Sequence, residues 1–274
     1  MSQTNSSTSV SLRTAIITGG ASGIGLALAV QLQARAVHVI AVDRDEDALA
    51  SLPSSIEGRA LDVTDRDAFR ALVGEVVEEH GRVDYLFNNA GVGIAGELRD
   101  MQPRDWRRVV EVNLFGVIHG VDAAYPVMIE QGFGCLVNVA SLAGLIELPG
   151  ESVYVASKHA VVGLTRTLRA EARHYGVDVC LVCPGVVNTP IYDTSPVVGF
   201  DKDASLALWP EGISAERCAE LILQGLDRGR GTVVVTPMAQ VLWRLHRLSP
   251  SIFSRAAGLY MARLRTTRVA DSTR

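Results

Sequence analysis

Short runs of apolar residues alternate along the chain with longer segments in which apolar residues recur every three or four positions. The short runs include TAIIT at 14–18, VHVIAVD at 37–43 and GCLVNVAS at 134–141, and each is apolar almost throughout. Uniformly apolar strands are typical of a parallel sheet that is covered on both faces. The alternation of strands with helices therefore predicts an α/β fold, a doubly wound parallel sheet of the Rossmann type flanked by helices on both faces.

The predicted elements follow in order along the chain. Strands are expected at 14–18, 37–43, 58–63, 83–91 (where the strand runs on into a loop), 134–141, 177–185 and 231–236. Helices are expected at about 24–35, 45–51, 66–80, 104–129 and 154–175. Residues 188–213 contain Pro, Gly, Asp and Trp without a clear period, so they are expected to form a mobile loop over a site.

The pattern divides the chain into three parts. Residues 1–11 are polar and rich in Ser and Thr, and are expected to be a flexible lead-in. Residues 12–236 form a single α/β body, and residues 237–274 form a helical extension. No uninterrupted apolar run reaches about 18 residues, so no helix is expected to span a membrane.

The extension is basic and amphipathic. It contains seven arginines and one acidic residue, a net charge of +6, which leaves −10 on the rest of a chain whose total is −4. Met238, Val241, Leu242 and Leu245 are spaced as i, i+3, i+4 and i+7 on one helix face. We expect this helix to pack on the body, cap a pocket or contact a neighbouring subunit. Peripheral contact with an anionic membrane and disorder remain the alternatives.

Composition excludes several classes of function. A net charge of −4 argues against a nucleic-acid partner. The four cysteines have no metal-type pairing, and the six histidines are scattered, so no metal site is predicted. We interpret the cysteines as reduced core residues, which favours a cytoplasmic location.

Candidate chemistry begins directly after the first predicted strand, in TGGASGIG at 18–25. Gly19 permits a tight exit from the strand, Gly23 lets the main chain approach a bulky anion, and Gly25 allows the next helix to pack closely on the sheet. That helix directs free N–H groups and a partial positive charge at the anion. The stretch therefore predicts a dinucleotide-binding turn, in which Ser22 and Ile24 also contact the cofactor.

An acidic and a basic residue at the end of the second strand bear on which dinucleotide binds. Asp43 lies 18 residues after Gly25, where a carboxylate can accept both hydroxyls of the adenosine ribose and would repel a 2′-phosphate. This favours NAD. Arg44 follows directly and could instead bind a 2′-phosphate, so NADP stays open.

Two residues spaced by four, Tyr154 and Lys158 in YVASK, would share one face of a helix. A phenol with a pKa near ~10 is a poor base at neutral pH. A neighbouring ammonium favours the phenolate, so we expect Lys158 to lower the pKa of Tyr154. Such a tyrosine could exchange a proton with an alcohol or a ketone. Ser141 ends a predicted strand, where its hydroxyl could hydrogen-bond to the substrate oxygen.

Together, TGGASGIG, NNAG at 88–91, Asn113, Ser141 and YVASK at 154–158 resemble the short-chain dehydrogenase/reductase family over about residues 12–236. The resemblance implies an NAD- or NADP-dependent oxidoreductase in which Lys158 also holds the nicotinamide ribose and Asn113 positions a water that relays protons. It also implies a homodimer or homotetramer that pairs through the helices at 104–129 and 152–175.

The same resemblance assigns further cofactor contacts residue by residue. The pair that would contact the adenine is Asp62 and Val63. The loop that would lie under the adenine ribose is Asn89, Ala90 and Gly91. The segment that would embrace the nicotinamide and phosphates contains Pro184, Gly185, Val187 and Thr189.

Two segments of mostly apolar residues, 142–151 and 188–213, are expected to line the substrate pocket. Their apolar side chains are Leu142, Leu145, Ile146, Leu148, Ile191, Val197, Val198, Phe200, Leu206, Leu208 and Trp209. No cluster of Lys or Arg is present to hold an anionic substrate, so we expect a steroid-, terpenoid- or lipid-like alcohol or ketone. The alternatives are an NADP-dependent carbonyl reductase and a non-catalytic module that senses the nucleotide.

Overall fold

A central parallel sheet organises the computed structural model, which describes residues 12–269. The strands are β1 Thr14–Thr18, β2 His38–Asp43, β3 Glu57–Ala60, β4 Tyr85–Asn88, β5 Ala95–Gly96, β6 Gly134–Val139, β7 Val177–Cys183, β8 Val187–Asn188, β9 Val197–Val198, β10 Ile213–Ser214 and β11 Thr232–Val234. Seven of them form the parallel sheet in the order β11-β7-β6-β4-β1-β2-β3. The predicted fold class is confirmed, and the predicted lead-in lies outside the described residues.

Helices cover both faces of this sheet. They are α1 Gly23–Gln33, α2 Glu46–Ala50, α3 Arg66–His80, α4 Pro103–Val110, α5 Gly116–Gln131, α6 Ser152–Ala172, α7 Ile191–Thr194, α8 Lys202–Leu206, α9 Ala215–Asp227, α10 Pro237–Leu248 and α11 Pro250–Leu264. The single helix expected at 104–129 is interrupted by a π-helical turn, Glu111–Phe115, which joins α4 to α5. The segment 188–213 is partly ordered into β8, β9, β10, α7 and α8 rather than being an irregular loop.

The central strands are apolar almost throughout because they contribute to two cores, whereas the edge strand β3 has the sequence EGRA and is partly exposed. All five residues of β1 are buried. Ile17 packs into a cluster on one side of the sheet with Val139 and Ile222, whereas Ile16 packs into the cluster on the other side with Phe69. Successive side chains of a strand point to opposite faces, so both positions must be apolar when helices cover both faces.

The strand order reverses at β1, and this reversal positions the site. From β1 the chain moves to β2 and β3 on one side, then returns to β4 and continues outward on the other side. Loops that leave β1 and β4 therefore diverge and leave a crevice at the carboxyl ends of these strands. Ligands bind at such reversal points in open α/β sheets.

The continuous helical stretch Pro103–Gln131 is long and apolar enough, by length and composition, to cross a membrane. In the structure it is part of the core, because its α5 portion packs against α3 and against β4 and β6. Length and composition are weak evidence for a single helix of this kind.

The C-terminal extension forms α10 and α11, which fold back onto the body. Phe253 and Leu242 pack against a core cluster that includes Leu181, and Leu264 is buried. After α11, Arg268 forms an isolated antiparallel bridge with Phe200. The extension thus packs against the body, which is one of the arrangements expected from its sequence.

Candidate active site

One large cavity, of about 760 Å³, opens at the carboxyl ends of the central strands. Its two halves differ in chemistry. The first half is bounded by the glycine turn after β1 and by the ends of β2 and β4. The second half is bounded by segment 142–151, by α7 and α8, and by the inward faces of α10 and α11.

The glycine turn brings backbone close to the cavity. Gly19 and Gly23 have φ values of +62° and +51°, a left-handed conformation that strongly favours glycine. A Cβ on Gly25 would lie 2.0 Å from the Gly19 carbonyl oxygen, so Gly25 permits close packing rather than lining the cavity. Ser22 precedes α1 and makes no side-chain cap, while Ser22 and Ile24 both line the cavity. The first N–H groups of α1 therefore remain available to an anion.

The Asp43 carboxylate is held by main-chain donors at the end of β2. It accepts hydrogen bonds from the Ala21 N–H at 3.3 Å and from the Asp45 N–H at 3.2 Å. Arg44 is exposed and also lines the cavity. Both residues thus lie where the sequence placed them, at the rim of the nucleotide half.

A residue that the sequence analysis missed, Thr18, organises the loop after β4. Its hydroxyl accepts hydrogen bonds from the N–H groups of Asn89 and Ala90, both at 3.0 Å. Asn89 Nδ2 donates to the Thr18 carbonyl oxygen at 2.9 Å. These bonds fix Asn89, Ala90 and Gly91 against the glycine turn, and all three line the cavity. A threonine that ends an apolar strand just before a glycine turn was the available signal.

The other predicted cofactor contacts complete the walls of this half. Asp62 accepts from the Thr64 N–H at 2.9 Å, and Val63 packs in the core beside it. On the opposite wall, a Cβ on Gly23 would lie 3.2 Å from Thr189 Cγ2, so Thr189 closes over the glycine turn. The cavity-lining residues of these two walls are Asp62, Val63, Pro184, Gly185, Val187 and Thr189.

Ser141, Tyr154 and Lys158 lie together on the wall between the two halves. Lys158 Nζ donates to the Val139 carbonyl oxygen at 3.0 Å and lies 5.6 Å from the centroid of the Tyr154 ring. Burial lowers the pKa of Lys158 to about 8. Ser141 follows β6, and its Oγ accepts from the Ala143 N–H at 3.1 Å.

The pKa of Tyr154 departs from expectation. Burial raises the pKa of this phenol, the Glu151 carboxylate raises it further, and a hydrogen bond with Ser141 lowers it. Lys158 does not contribute the expected lowering; its ammonium donates to the Val139 carbonyl oxygen and lies 5.6 Å from the centroid of the Tyr154 ring. In this structure Tyr154 therefore carries its proton at neutral pH.

Asn113 does not line the cavity and is fully buried in the π-helical turn. Its Oδ1 accepts from the Val92 N–H at 2.8 Å, and its Nδ2 donates to the Val92 carbonyl oxygen at 2.9 Å. A Cβ on Gly91 would lie 3.4 Å from Asn113 Oδ1 and 3.5 Å from Lys158 Nζ. Glycine at this position leaves open the space between the amide and the ammonium. Single π-helical turns often occur at functional sites.

The second half of the cavity is largely apolar. Of the side chains expected there, nine line it: Leu142, Ile146, Leu148, Ile191, Val197, Phe200, Leu206, Leu208 and Trp209. Leu145 and Val198 do not, because they pack into core clusters instead. The extension contributes several further lining residues: Met238, Leu242, Phe253, Ala256, Ala257, Tyr260 and Leu264.

Polar side chains also line the apolar half, among them Glu151, Tyr192 and Tyr260, which were not predicted as site residues. Glu151 comes one helical turn before Tyr154, which was a signal in the sequence. Burial raises the pKa of Glu151 to about 7 and that of Tyr192 to about 12. Tyr260 reaches the cavity from α11, and no local pattern indicates this.

A group that could ligate a metal lies away from the cavity. His38 Nε2 lies 3.0 Å from Glu57 Oε2, and His80 Nε2 lies 3.8 Å from the same oxygen. These residues come from β2, β3 and α3, so their proximity arises from the fold and not from sequence spacing. Arg59 is hydrogen-bonded to the same carboxylate at 2.6 Å.

The residues present fit a nicotinamide dinucleotide. The glycine turn offers main-chain N–H groups for the phosphates, and Asp43 provides an acceptor at the ribose position. Ser141, Tyr154 and Lys158 stand at the other end of the same cavity, beside an apolar chamber. This arrangement can bind the cofactor and a substrate side by side and can exchange a proton with the substrate oxygen.

Comparison with known proteins agrees with this chemistry. A family model described as short chain dehydrogenase matches residues 13–196. The oxidoreductase SadH of Mycobacterium tuberculosis is 35% identical over 263 residues, which cover 90% of this chain and 95% of SadH. A 3beta-hydroxysteroid dehydrogenase of Mediterraneibacter gnavus is 34% identical over 188 residues, covering 66% of this chain and 68% of that protein.

A solved structure extends the comparison to three dimensions. The crystal structure of a short chain dehydrogenase/reductase from Burkholderia phymatum in complex with NAD has a TM-score of 0.76 and 31% sequence identity. The match covers 88% of this chain and 95% of that chain.

Proposed function

Since this chain belongs to the short-chain dehydrogenase/reductase family, we propose that it transfers a hydride between a nicotinamide cofactor and a hydrophobic secondary alcohol or ketone. One observation carries the proposal: Ser141, Tyr154 and Lys158 line the same cavity as the glycine turn, at its border with the apolar half. A sensor of the nucleotide would need the glycine turn but none of these three side chains.

In the proposed reaction, Tyr154 moves the proton. During reduction, its phenol gives a proton to the substrate carbonyl oxygen, and Ser141 holds that oxygen by a hydrogen bond. During oxidation, the phenolate takes the hydroxyl proton back. A bound nicotinamide ring would give the hydride to the carbon that carries this oxygen, or accept it from that carbon. Because the pKa of Tyr154 is raised by burial, its protonated form is ready for the reductive direction at neutral pH.

Lys158 and Asn113 support proton transfer by Tyr154. Lys158 is buried and its pKa is lowered to about 8, so it can both hold the nicotinamide ribose as a cation and pass a proton on. Asn113 lies across Gly91 from the Lys158 ammonium, and its amide is held by the Val92 main chain. We assign Asn113 the role of positioning a proton relay to Lys158.

NAD is the proposed cofactor. Main-chain N–H groups hold the Asp43 carboxylate at the end of β2, where it would accept the ribose hydroxyls and repel a 2′-phosphate. Arg44 is the reason to test NADP in parallel. Peripheral membrane contact, a homodimer or homotetramer, and a cytoplasmic location stay predictions from the sequence.

The proposed substrate is apolar. Most side chains in the second half of the cavity are aliphatic or aromatic, and the extension adds Phe253 and Leu264 to them. The relative from Mediterraneibacter gnavus is named for a hydroxysteroid substrate. If small charged hydroxy acids were the fastest substrates, this part of the proposal would be wrong.

Replacing Tyr154 by Phe tests the proposed function. We expect Tyr154→Phe to lower kcat by about 10²-fold or more, because general acid–base catalysis contributes about that much. Cofactor affinity, measured by nicotinamide fluorescence, should change by less than about threefold. Tyr175→Phe is the matched control, since Tyr175 is exposed on the surface. Retained turnover in Tyr154→Phe would remove Tyr154 from its role.

A screen distinguishes the competing functions. Hydrophobic secondary alcohols and ketones are offered with NAD and with NADP in parallel. Turnover that is faster with NADP would favour the carbonyl reductase alternative. Tight cofactor binding without turnover of any alcohol or ketone would favour the nucleotide sensor.

A further inference from the structure

A carboxyl group in the apolar half of the cavity has no role in the proposed reaction. Glu151 lines the cavity three residues before Tyr154 and is the N-cap residue that precedes helix α6. Within residues 12–269, its side chain takes part in no hydrogen bond or ion pair. Glu151 is half-buried, and a carboxylate that is partly removed from water without a partner is costly, so the fold itself does not account for this side chain.

Unlike Glu151, the other charged side chains that line the cavity beyond its nucleotide half have a protein partner or are exposed to solvent. Glu147 pairs with His246 at 3.1 Å, and Lys158 donates to the Val139 carbonyl oxygen. Arg108 is exposed to solvent at the rim. Among residues 12–269, Glu151 is thus the carboxyl group of the apolar half that has no protein partner and is left for a ligand.

Titratable groups interact with Glu151 from three elements. Tyr154 lies on α6, Tyr192 on α7 and Tyr260 on α11. Cys183, at the end of β7, interacts with Tyr154. Burial raises the pKa of Tyr154, Tyr192 and Tyr260, and the charge of Glu151 raises it further in all three. Burial raises the pKa of Cys183 to about 12, so it stays neutral. The Lys158 ammonium lies one turn further along α6.

The spacing limits where Glu151 can act on a substrate. Glu151 is the N-cap residue of α6, one turn before Tyr154, and both side chains line the same cavity at different points. A substrate whose reacting carbon is beside Tyr154 would therefore present to Glu151 an atom several bonds away. An ionised carboxylate only accepts hydrogen bonds, so it favours a donor there and repels an anion.

We propose that Glu151 selects substrates, binding a second hydroxyl group two or three carbons from the reacting carbon and excluding substrates with a carboxylate there. This inference rests on the proposed function and narrows its substrate class to apolar diols and hydroxy ketones. Glu151 is a specificity-determining residue, and it takes no part in proton transfer to the reacting oxygen.

Matched substrates test the proposal. We expect the wild-type protein to oxidise 1,3- and 1,4-cyclohexanediol with a kcat/KM at least about tenfold above that for cyclohexanol. A hydrogen bond to a charged group is strong enough for that ratio. In Glu151→Leu this ratio should fall to near one through the KM of the diols, because any change in kcat that follows from the altered pKa of Tyr154 affects cyclohexanol and the diols alike. Glu147→Leu is the matched control, because its carboxylate lies at the rim and pairs with His246.

The pH dependence of the KM of the diols provides a second test, because a purely structural role of Glu151 would not produce it. A carboxylate accepts a hydrogen bond better than a carboxylic acid, so the KM of the diols should fall as pH rises through about 7. The cyclohexanol KM should stay flat over the same range. In Glu151→Gln the diol profile should also be flat. That variant should bind a hydroxycyclohexanecarboxylate, whose carboxylate lies across the ring from its hydroxyl, with a KM at least about tenfold lower than the wild type.

The outcomes separate the two proposals. If the wild-type protein oxidises cyclohexanol and the diols equally well, or if Glu151→Leu leaves their ratio unchanged, the role of Glu151 is wrong and the proposed function stands. If the wild-type protein turns over none of these alcohols and no other secondary alcohol with NAD or NADP, the proposed function fails and this inference fails with it.

Discussion

At the scale of single residues, main-chain groups hold several polar side chains at the cavity or directly behind its wall. The Asn113 amide bonds to the Val92 main chain, the Lys158 ammonium to the Val139 carbonyl oxygen, and the Asp43 carboxylate to two N–H groups. Main-chain partners are unaffected when a neighbouring side chain is replaced. Single substitutions at the cavity should therefore change binding and rate while leaving the fold intact.

Replacing Asp43 by Ala should shift the protein towards NADP. The substitution would remove the proposed acceptor for the ribose hydroxyls and the charge proposed to repel a 2′-phosphate, whereas Arg44 remains beside the site. We expect the ratio of kcat/KM for NADP to that for NAD to rise at least about tenfold. Steady-state kinetics with one alcohol and both cofactors measure this ratio.

Asp45→Ala is the control for the Asp43 experiment. Asp45 also lines the cavity, but its carboxylate caps α2 by accepting from the Ala48 N–H at 3.0 Å. Its loss should cost about 1 kcal/mol of stability and leave the cofactor ratio within about threefold. An unchanged ratio in Asp43→Ala would mean that Asp43 does not discriminate between the cofactors.

At the scale of secondary structure, the sequence predicted those elements that a regular spacing of apolar residues indicates. Central strands such as β1 and β2 were found because burial on both faces makes them apolar almost throughout. The π-helical turn at Glu111–Phe115 was not found, since one widened turn leaves the apolar pattern of the flanking helices almost unchanged. The short helices α7 and α8 have four and five residues, too few for a period to be recognised.

The glycine turn allows a prediction about how α1 meets β1. A Cβ on Gly25 would lie 2.0 Å from the Gly19 carbonyl oxygen and 2.7 Å from Asn89 Nδ2. Gly25→Ala must therefore push α1 away from the turn, at a cost of about 1–3 kcal/mol. We expect cofactor affinity to fall by at least about tenfold in fluorescence titration, together with a lower Tm.

The matched glycine substitution is Gly74→Ala, within α3. A Cβ on Gly74 would meet no atom within 4 Å. The substitution should raise the free energy of unfolding by about 0.5–1 kcal/mol, since alanine is the better helix former. It should leave cofactor affinity unchanged. Equal effects of Gly25→Ala and Gly74→Ala would argue that the turn has no special packing.

At the scale of the whole molecule, the cavity is closed by contacts between segments far apart in the sequence. The pattern of the extension predicted an apolar helix face but not the surface that the face would meet. The structure brings that face onto the substrate half, where Leu242, Phe253 and Tyr260 line the cavity. The proximity of His38, Glu57 and His80 is equally a product of the fold. Such contacts join segments that are far apart in the sequence, so local periodicity cannot predict them.

Glu97 is the anchor that ties the end of the extension to the body. Its side chain is largely buried after β5, and it pairs with Arg265 at 2.5 Å and with Arg268 at 3.4 Å. Arg99 pairs with the same carboxylate. The hydrogen bond from Arg265 holds the pKa of Glu97 below its usual value, although burial opposes this. These ion pairs hold the end of the extension against the body, where Leu264 forms part of the cavity wall.

The lowered pKa makes closure of the cavity depend on pH. A carboxyl group whose pKa is lower in the folded state stabilises that state at neutral pH. This stabilisation is lost as pH falls through the folded-state value. We therefore expect the extension to lose its hydrogen-exchange protection in acid before the sheet does. At pH 7, Glu97→Gln should reproduce this loss in residues 250–268 and lower the free energy of unfolding by about 1 kcal/mol, a Tm decrease of about 2–4 °C.

Glu220→Gln is the control, because Glu220 also pairs with an arginine, Arg217, at 2.5 Å but lies on the exposed face of α9. Exposed pairs contribute little to stability, so this substitution should leave both protection and Tm within error of the wild type. Opening of the extension should also raise the KM of large apolar alcohols, since Phe253 and Leu264 would no longer cover them. If Glu97→Gln left the extension protected at pH 7, packing of α10 and α11 on the body would by itself close the cavity, and the ion pairs would be dispensable.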